Sequence, residues 1–205
     1  MGKNLSWFAK TRSHVRSRLR VEFYRRLYPK AVLGQHLGVR GKLVITGPGK
    51  VVVGQHCFFD VATGQSNIIE TFNPSAIVTF GDACYLNGLK IVSQSSVTIG
   101  SRCIIADCLI MDTDFHSVEV NRHDPEAVVK KGPVIIGDNV WIGYRATILK
   151  GVQIGENSVI GAGTVVRQSV PPNSVVIGNP QQIVKTLTLP ALPASERSET
   201  DVLLA

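Results

Sequence analysis

The chain has 205 residues, 44% of them hydrophobic and 18% charged, enough for one domain with a substantial core. It contains no run of about 18 apolar residues, so no helical membrane span is expected. The net charge of +7 is unevenly divided: residues 1–42 carry eleven Lys/Arg against Glu22 alone, and the remainder carries eleven against fourteen acids. The basic character belongs to an N-terminal arm, and a mildly acidic body argues against a nucleic-acid-binding role.

Residues 5–27 predict an amphipathic helix ended by Pro29. At about 100° per residue, Leu5, Phe8, Val15, Leu19, Phe23 and Leu27 share one side, and arginines occupy much of the rest. Two readings suit this basic arm, residues 1–30. It packs over the end of the following domain or in an oligomer, or it attaches to an anionic membrane surface. The N-terminus lacks the apolar core of a secretory signal. A cytoplasmic protein is therefore expected, with peripheral contact at the inner face of the membrane under the second reading.

Beyond the arm the sequence becomes repetitive, raggedly at first. Val53-Gly54, Phe80-Gly81, Ile99-Gly100, Ile105 and Met111 are its aliphatic or aromatic beats. Four residues after the first four beats stand Cys57, Cys84, Cys103 and Leu109. The three cysteines form no CxxC pair and read as small core hydrophobes. Cys108 falls outside this slot and stays unassigned.

The rhythm breaks at DTDFHS, residues 112–117. Met111 to Ile136 is 25 positions, one more than four sixes, so the phase does not run through. The stretch FHSVEVNRHDPEAVVKKG is polar, contains Pro125 and lacks spaced aliphatics. It reads as a loop over residues 112–133 projecting from a rigid scaffold, a common place for function.

From Ile136 an aliphatic falls every sixth position, at Ile142, Ile148, Ile154, Ile160 and Val166. Gly follows directly at 137, 143, 155 and 161. Small or β-branched residues occupy the fourth place after each beat: Val140, Ala146, Val152, Ser158, Thr164 and Val170. Such a period is too short for a helical repeat. It fits a short strand, a tight turn and the next strand, with three sides closing a coil of about 18 residues. Stacked coils bury an aliphatic column that no single coil buries alone. Residues 186–205 lose the repeat and contain Pro190 and Pro193, which predicts a flexible tail.

The motifs YLNG, SVTIG, DTDFH, GPVIIGDNVWIGYRATILKGVQIGENSVIGAGTVV, VPPNS and GNP span about residues 80–185. Through them the chain resembles the hexapeptide-repeat acyltransferases, most closely sugar O-acetyltransferases of the maltose/galactoside type. The resemblance implies an all-β fold, a left-handed parallel β-helix over residues 31–185. It also implies a homotrimer, acetyl-CoA as acyl donor and a hydroxyl of a saccharide or glycan precursor as acceptor. Acetyl transfer needs a base for the hydroxyl proton, a donor for the oxyanion and a channel for the thioester. By the resemblance, His116 is the base in a ternary complex.

Asp112 and Asp114 hold the imidazole or bind sugar hydroxyls, or are solvated carboxylates at a loop corner. Asn87 and His123 are candidate acceptor contacts. The resemblance also implies that Trp141, Tyr144, Ala162, Arg167 and Lys185 are the coenzyme A residues, with the Tyr144 N–H facing the oxyanion. Core packing is the alternative for Ala162, and trimer contact for Trp141. The family's cofactor-facing basic positions are here Gln168 and Gln182, for which Arg167 and Lys185 substitute. N-acetylation of an amino sugar and a non-catalytic scaffold are the competing functions. No metal is expected, since the histidines do not converge on coil faces.

Overall fold

The structure, a computed structural model, describes residues 14–61 and 65–188. Residues 1–13 of the arm and 189–205 of the tail, for which sequence expectations were given, lie outside the described residues.

Three parallel sheets of short strands wind around one core. Each coil contributes a strand to face one, then face two, then face three. Face one runs from Ala31–Leu33 to Gln153–Ile154, face two from Gly38–Val39 to Ser174–Ile177, and face three from Leu43–Thr46 to Val165–Val166. Each strand is too short to be stable alone and is held by the coils above and below. The inward side chains stack in register. Face one aligns Leu33, Val53, Phe80, Ile99, Ile136 and Ile154, and face three aligns Ile69, Ile91, Ile110, Ile148 and Val166. All of these are at most 3% exposed, each such side chain contributing about 1.5–3 kcal/mol of burial.

Between faces one and two the turn uses a left-handed residue in every coil: His36, His56, Ala83, Arg102, Asn139, Asn157 and Asn173, with φ from 55° to 60°. Asn tolerates this conformation, and the last three are also joined side chain to side chain at 2.9 Å. His36 and His56 are exposed with rings stacked at 4.6 Å. Glycine enters the same turn because the next coil passes too close for a Cβ. One added at Gly137 would lie 2.7 Å from the Glu156 nitrogen.

Cys57, Cys84 and Cys103 fill the slot expected of them and are buried. The phase at Met111 needs correction. Ile110 is the inward residue and Met111 is half-buried. Ile105 to Ile110 is five positions, where Ile142 to Ile148 is six, because the turn around Asp107 is one residue shorter. The small-residue slot therefore belongs to Cys108 and not Leu109. The Leu109 N–H bonds to Ala146 O and the Lys90 N–H to Cys108 O, which stacks Leu89, Cys108 and Ala146.

α1 (His14–Leu27) crosses the open first coil. Its packed side differs from the one expected: Val21 is buried and Tyr24 packs on the core, whereas Phe23 and Leu27 are 59% and 51% exposed. The first coil has backbone acceptors with no coil above them, and polar ends satisfy these better than aliphatics can. Arg25 Nη2 donates to Leu33 O at 2.8 Å, and Tyr28 Oη to Leu43 O at 2.9 Å. At the other end the antiparallel strand Gln182–Thr186 covers Ser174–Ile177, so Thr186, expected in the tail, is part of the sheet. Among the described residues no helix is long and apolar enough to cross a membrane.

Candidate active site

The strand Leu109–Met111 completes its own coil on face three, and the chain regains face one only at Val134–Ile136. Ile99 pairs with Ile136, 37 positions on, whereas Ile136 pairs with Ile154 after 18; the difference of 19 is the inserted loop. Its neck is ordered by a short antiparallel ladder. The Gly132 N–H donates to Asp112 O (2.9 Å), Thr113 bridges Lys131, and the Asp114 N–H donates to Lys130 O (3.0 Å). Phe115 takes φ 60° with its N–H on Thr113 Oγ1, and its ring meets Phe72 edge-on at 5.0 Å. The His116 N–H then donates to Asp114 O at 2.7 Å, and its side chain is exposed. His116 thus stands at the anchored base of the loop. His123 is also exposed, further along it.

The two acids of DTDFHS separate. Asp112 is 0% exposed, with Oδ2 accepting from Ser93 Oγ (2.6 Å) and the Ser95 N–H (2.8 Å) and Oδ1 from the Gln94 N–H (2.8 Å). It closes the turn of the coil above. This corrects its expected place as a sugar ligand or imidazole partner, because its oxygens are engaged in a dry corner. Asp114 is not a solvated carboxylate either: Oδ1 lies 2.6 Å from Lys150 Nζ, with both side chains less than a third exposed. The sequence reading missed Lys150. Counting from Ile110 reveals it, since Asp112 and Lys150 each stand two residues beyond the paired Ile110 and Ile148.

Tyr144 and Ala162 lie at the turn between faces two and three. Tyr144 is 46% exposed, and Ala162 is exposed, which removes core packing as its role. This turn is one residue longer than its counterpart around Asp107, and Tyr144 falls in the added length. Its carbonyl accepts from the Gly163 N–H at 2.8 Å, while its own N–H donates to nothing among the described residues. A backbone donor without a partner among the described residues suits a developing oxyanion. Trp141, 53% exposed, shares the outer column of face two with Val159, Val175 and Lys185. Arg167 and Gln168 sit at the turn after face three, their N–H groups both bound to Gln181 Oε1.

Asn87, half-buried, aligns with Asp60 on face two. Beside it is a cluster that the sequence reading also missed. Arg40 grips the buried Asp60 through Nε (2.6 Å) and Nη2, and Tyr85 Oη donates to Asp60 Oδ2 at 2.7 Å. Burial opposes the charge on Asp60, yet Arg40, Tyr85 and the Val61 N–H outweigh it and hold the carboxyl below its ordinary range. Burial, then Asp60, pushes Tyr85 up. Burial also pushes the Cys108 thiol up, which removes it as a nucleophile. Among the described residues no three His, Cys, Asp or Glu side chains converge on a metal site.

The candidates therefore group by turn. Asp114, His116, Lys150 and Arg167 follow face three, and Asn87, Tyr144 and Ala162 follow face two. Trp141 and Lys185 lie on the outer surface of face two.

Residues 133–168 match the family described as the hexapeptide repeat of succinyl-transferase. A putative acetyltransferase of Saccharomyces cerevisiae is 40% identical over 112 residues, 54% of this chain and 57% of that protein. The galactoside O-acetyltransferase of Escherichia coli is 36% identical over 117 residues, 57% of each. The matched stretch thus spans little more than half the length of either relative. A hexapeptide-repeat acetyltransferase of Vibrio cholerae, solved with acetyl coenzyme A, superposes with a TM-score of 0.56 at 24% identity, covering 90% of this chain and 83% of that one. That likeness shows the fold. The six-residue repeats, the three faces and this superposition together give the chain a left-handed parallel β-helix fold, with the hexapeptide repeat matched over residues 133–168.

Proposed function

We propose that this protein transfers an acetyl group from acetyl-CoA to a hydroxyl of a saccharide or glycan precursor, with His116 as general base. The observation that carries the reading is the exposed His116 at the anchored neck of the one long insertion in face three's turns. Similarity to a galactoside O-acetyltransferase and to a putative acetyltransferase supports it. In a ternary complex the imidazole takes the proton as the acceptor oxygen attacks the thioester carbonyl carbon. The Tyr144 N–H stabilises the oxyanion, the C–S bond breaks, and the imidazolium returns its proton to the leaving thiolate.

A homotrimer belongs to this reading. Within one chain His116 and Tyr144 occupy different turns of the prism, and a neighbouring copy would join one turn to the other. Trp141, exposed on face two, suits the resulting crevice. Contact of the arm with an anionic membrane surface is supported by exposed Phe23 and Leu27 beside Arg25 and Arg26.

The test is thiol release from acetyl-CoA against a panel of neutral, acidic and amino sugars. His116→Ala is expected to lower kcat about a hundred- to ten-thousand-fold, with acetyl-CoA binding unchanged. Near-normal turnover by that variant would overturn the mechanism, and absence of thiol release with every acceptor would favour a scaffold.

A further inference from the structure

We propose that Lys150 is a positioning residue for His116, acting through Asp114. The inference rests on the reading of His116 as the base. Lys150 belongs to the coil directly below the loop, two residues beyond Ile148, and that coil is fixed by the paired strands on either side of it. The loop leaves face three above this point and returns at Gly132, whose carbonyl accepts from the Gly151 N–H at 3.1 Å. Lys150 therefore reaches from the rigid solenoid into the neck of a segment that is otherwise held mainly by backbone hydrogen bonds.

The contact is specific. Lys150 Nζ lies 2.6 Å from Asp114 Oδ1, with the side chains 29% and 23% exposed, so the pair is better shielded than an ordinary surface ion pair. Lys130 and Lys131 stand exposed on the returning limb of the neck, and Glu119, Arg122 and His123 lie further out, likewise exposed. Among the described residues the Asp114 carboxylate pairs with Lys150 alone. Asp114 in turn governs the next two residues: its carbonyl accepts the His116 N–H, and Phe115 between them is confined to φ 60°. A shift of Asp114 tilts that turn and swings the imidazole with it. Proton transfer is sensitive to such displacement, and about 1 Å costs on the order of a hundredfold in rate.

Neither Lys150 nor Asp114 is required to touch acetyl-CoA for this role. Losing the ammonium should act on kcat and leave the donor's KM alone. A merely structural ion pair would lower thermal stability without that split. It would also impair the enzyme equally whether or not His116 is present.

The experiment measures kcat, the KM for acetyl-CoA and thermal unfolding for Lys150→Met, Lys150→Arg and Asp114→Asn, and repeats Lys150→Met in a His116→Ala background. Lys150→Met and Asp114→Asn are each expected to lower kcat about ten- to a hundredfold, with the acetyl-CoA KM within about twofold of wild type. Their effects should not add, since both break one contact. Lys150→Arg, which keeps the charge, should recover most of the rate. In the His116→Ala background Lys150→Met should change the residual rate by less than about twofold, because the group it positions is gone. Should Lys150→Met fail to fold, Lys150→Arg and Asp114→Asn carry the same comparison.

Full kcat in Lys150→Met or Asp114→Asn, or an equal loss with and without His116, would overturn the inference. If His116→Ala itself keeps normal turnover, the parent reading fails. If His116→Ala is crippled while Lys150→Met is fully active, only the positioning role fails.

Discussion

Asp112 Oδ2 accepts a 2.6 Å hydrogen bond from Ser93 Oγ, so the first acid of DTDFHS faces inward to the turn of the preceding coil. It also accepts from the N–H groups of the half-buried Gln94 and Ser95. Asp112→Ala is therefore expected to destabilise the fold by about 2–5 kcal/mol, by leaving three donors unpaired, the buried Ser93 hydroxyl among them. Urea unfolding measures this. A change in acceptor KM at unaltered stability would instead return Asp112 to the substrate site.

Arg40 and Asp60 supply a pH-dependent contribution to stability. The folded-state pKa of Asp60 lies below its ordinary 3.8, so the unfolded chain takes up the proton first. The stabilisation is present above that ordinary value and is lost as pH falls through the depressed one. Arg40 is 63% exposed on its side chain, so the pair is worth less than a fully buried one. Acid titration of unfolding should show an added loss of stability below about pH 4 that Asp60→Asn removes. An identical acid profile in Asp60→Asn would contradict this.

Gly137 should not tolerate a methyl group. Its added Cβ would meet the Glu156 nitrogen at 2.7 Å, and that nitrogen belongs to a coil that cannot retreat without breaking its own ladder. Gly137→Ala is expected to cost about 1–3 kcal/mol. Gly151, where nothing lies within 4 Å but φ is 74°, should lose only the smaller cost of left-handed backbone, about 1–2 kcal/mol. Thermal melts of the two variants test that order.

Cys108 stands directly above Ala146 in one column of the core. Cys108→Ala is expected to fold and to cost about 1 kcal/mol or less, because the position already accepts alanine one coil below. The native thiol should resist alkylation until the protein unfolds, since burial raises its pKa and excludes the reagent. Rapid labelling of Cys108 in the native protein would show that this corner opens.

The β-helix was legible in the sequence because a solenoid is nearly one-dimensional. Each coil meets only its neighbours, so a spacing of six from Ile136 to Val166 translates directly into the aligned stacks. The loop was legible for the same reason, as an interruption of that spacing, whereas His116 was singled out within it by the family resemblance. What depended on counting through irregular turns was not. One residue fewer around Asp107 moves the inward place from Met111 to Ile110 and the small slot from Leu109 to Cys108. The same shift hid Lys150 beneath Asp112. Periodicity identified an apolar stripe on α1 but not the side that packs. That was decided by unpaired carbonyls of the first coil, which Arg25 and Tyr28 reach and Phe23 cannot satisfy. The roles of Asp112 and Asp114 likewise came only from the tertiary structure. Two carboxylates two residues apart look alike in sequence, and the partner each finds, Ser93 on one coil and Lys150 on another, lies 19 and 36 positions away.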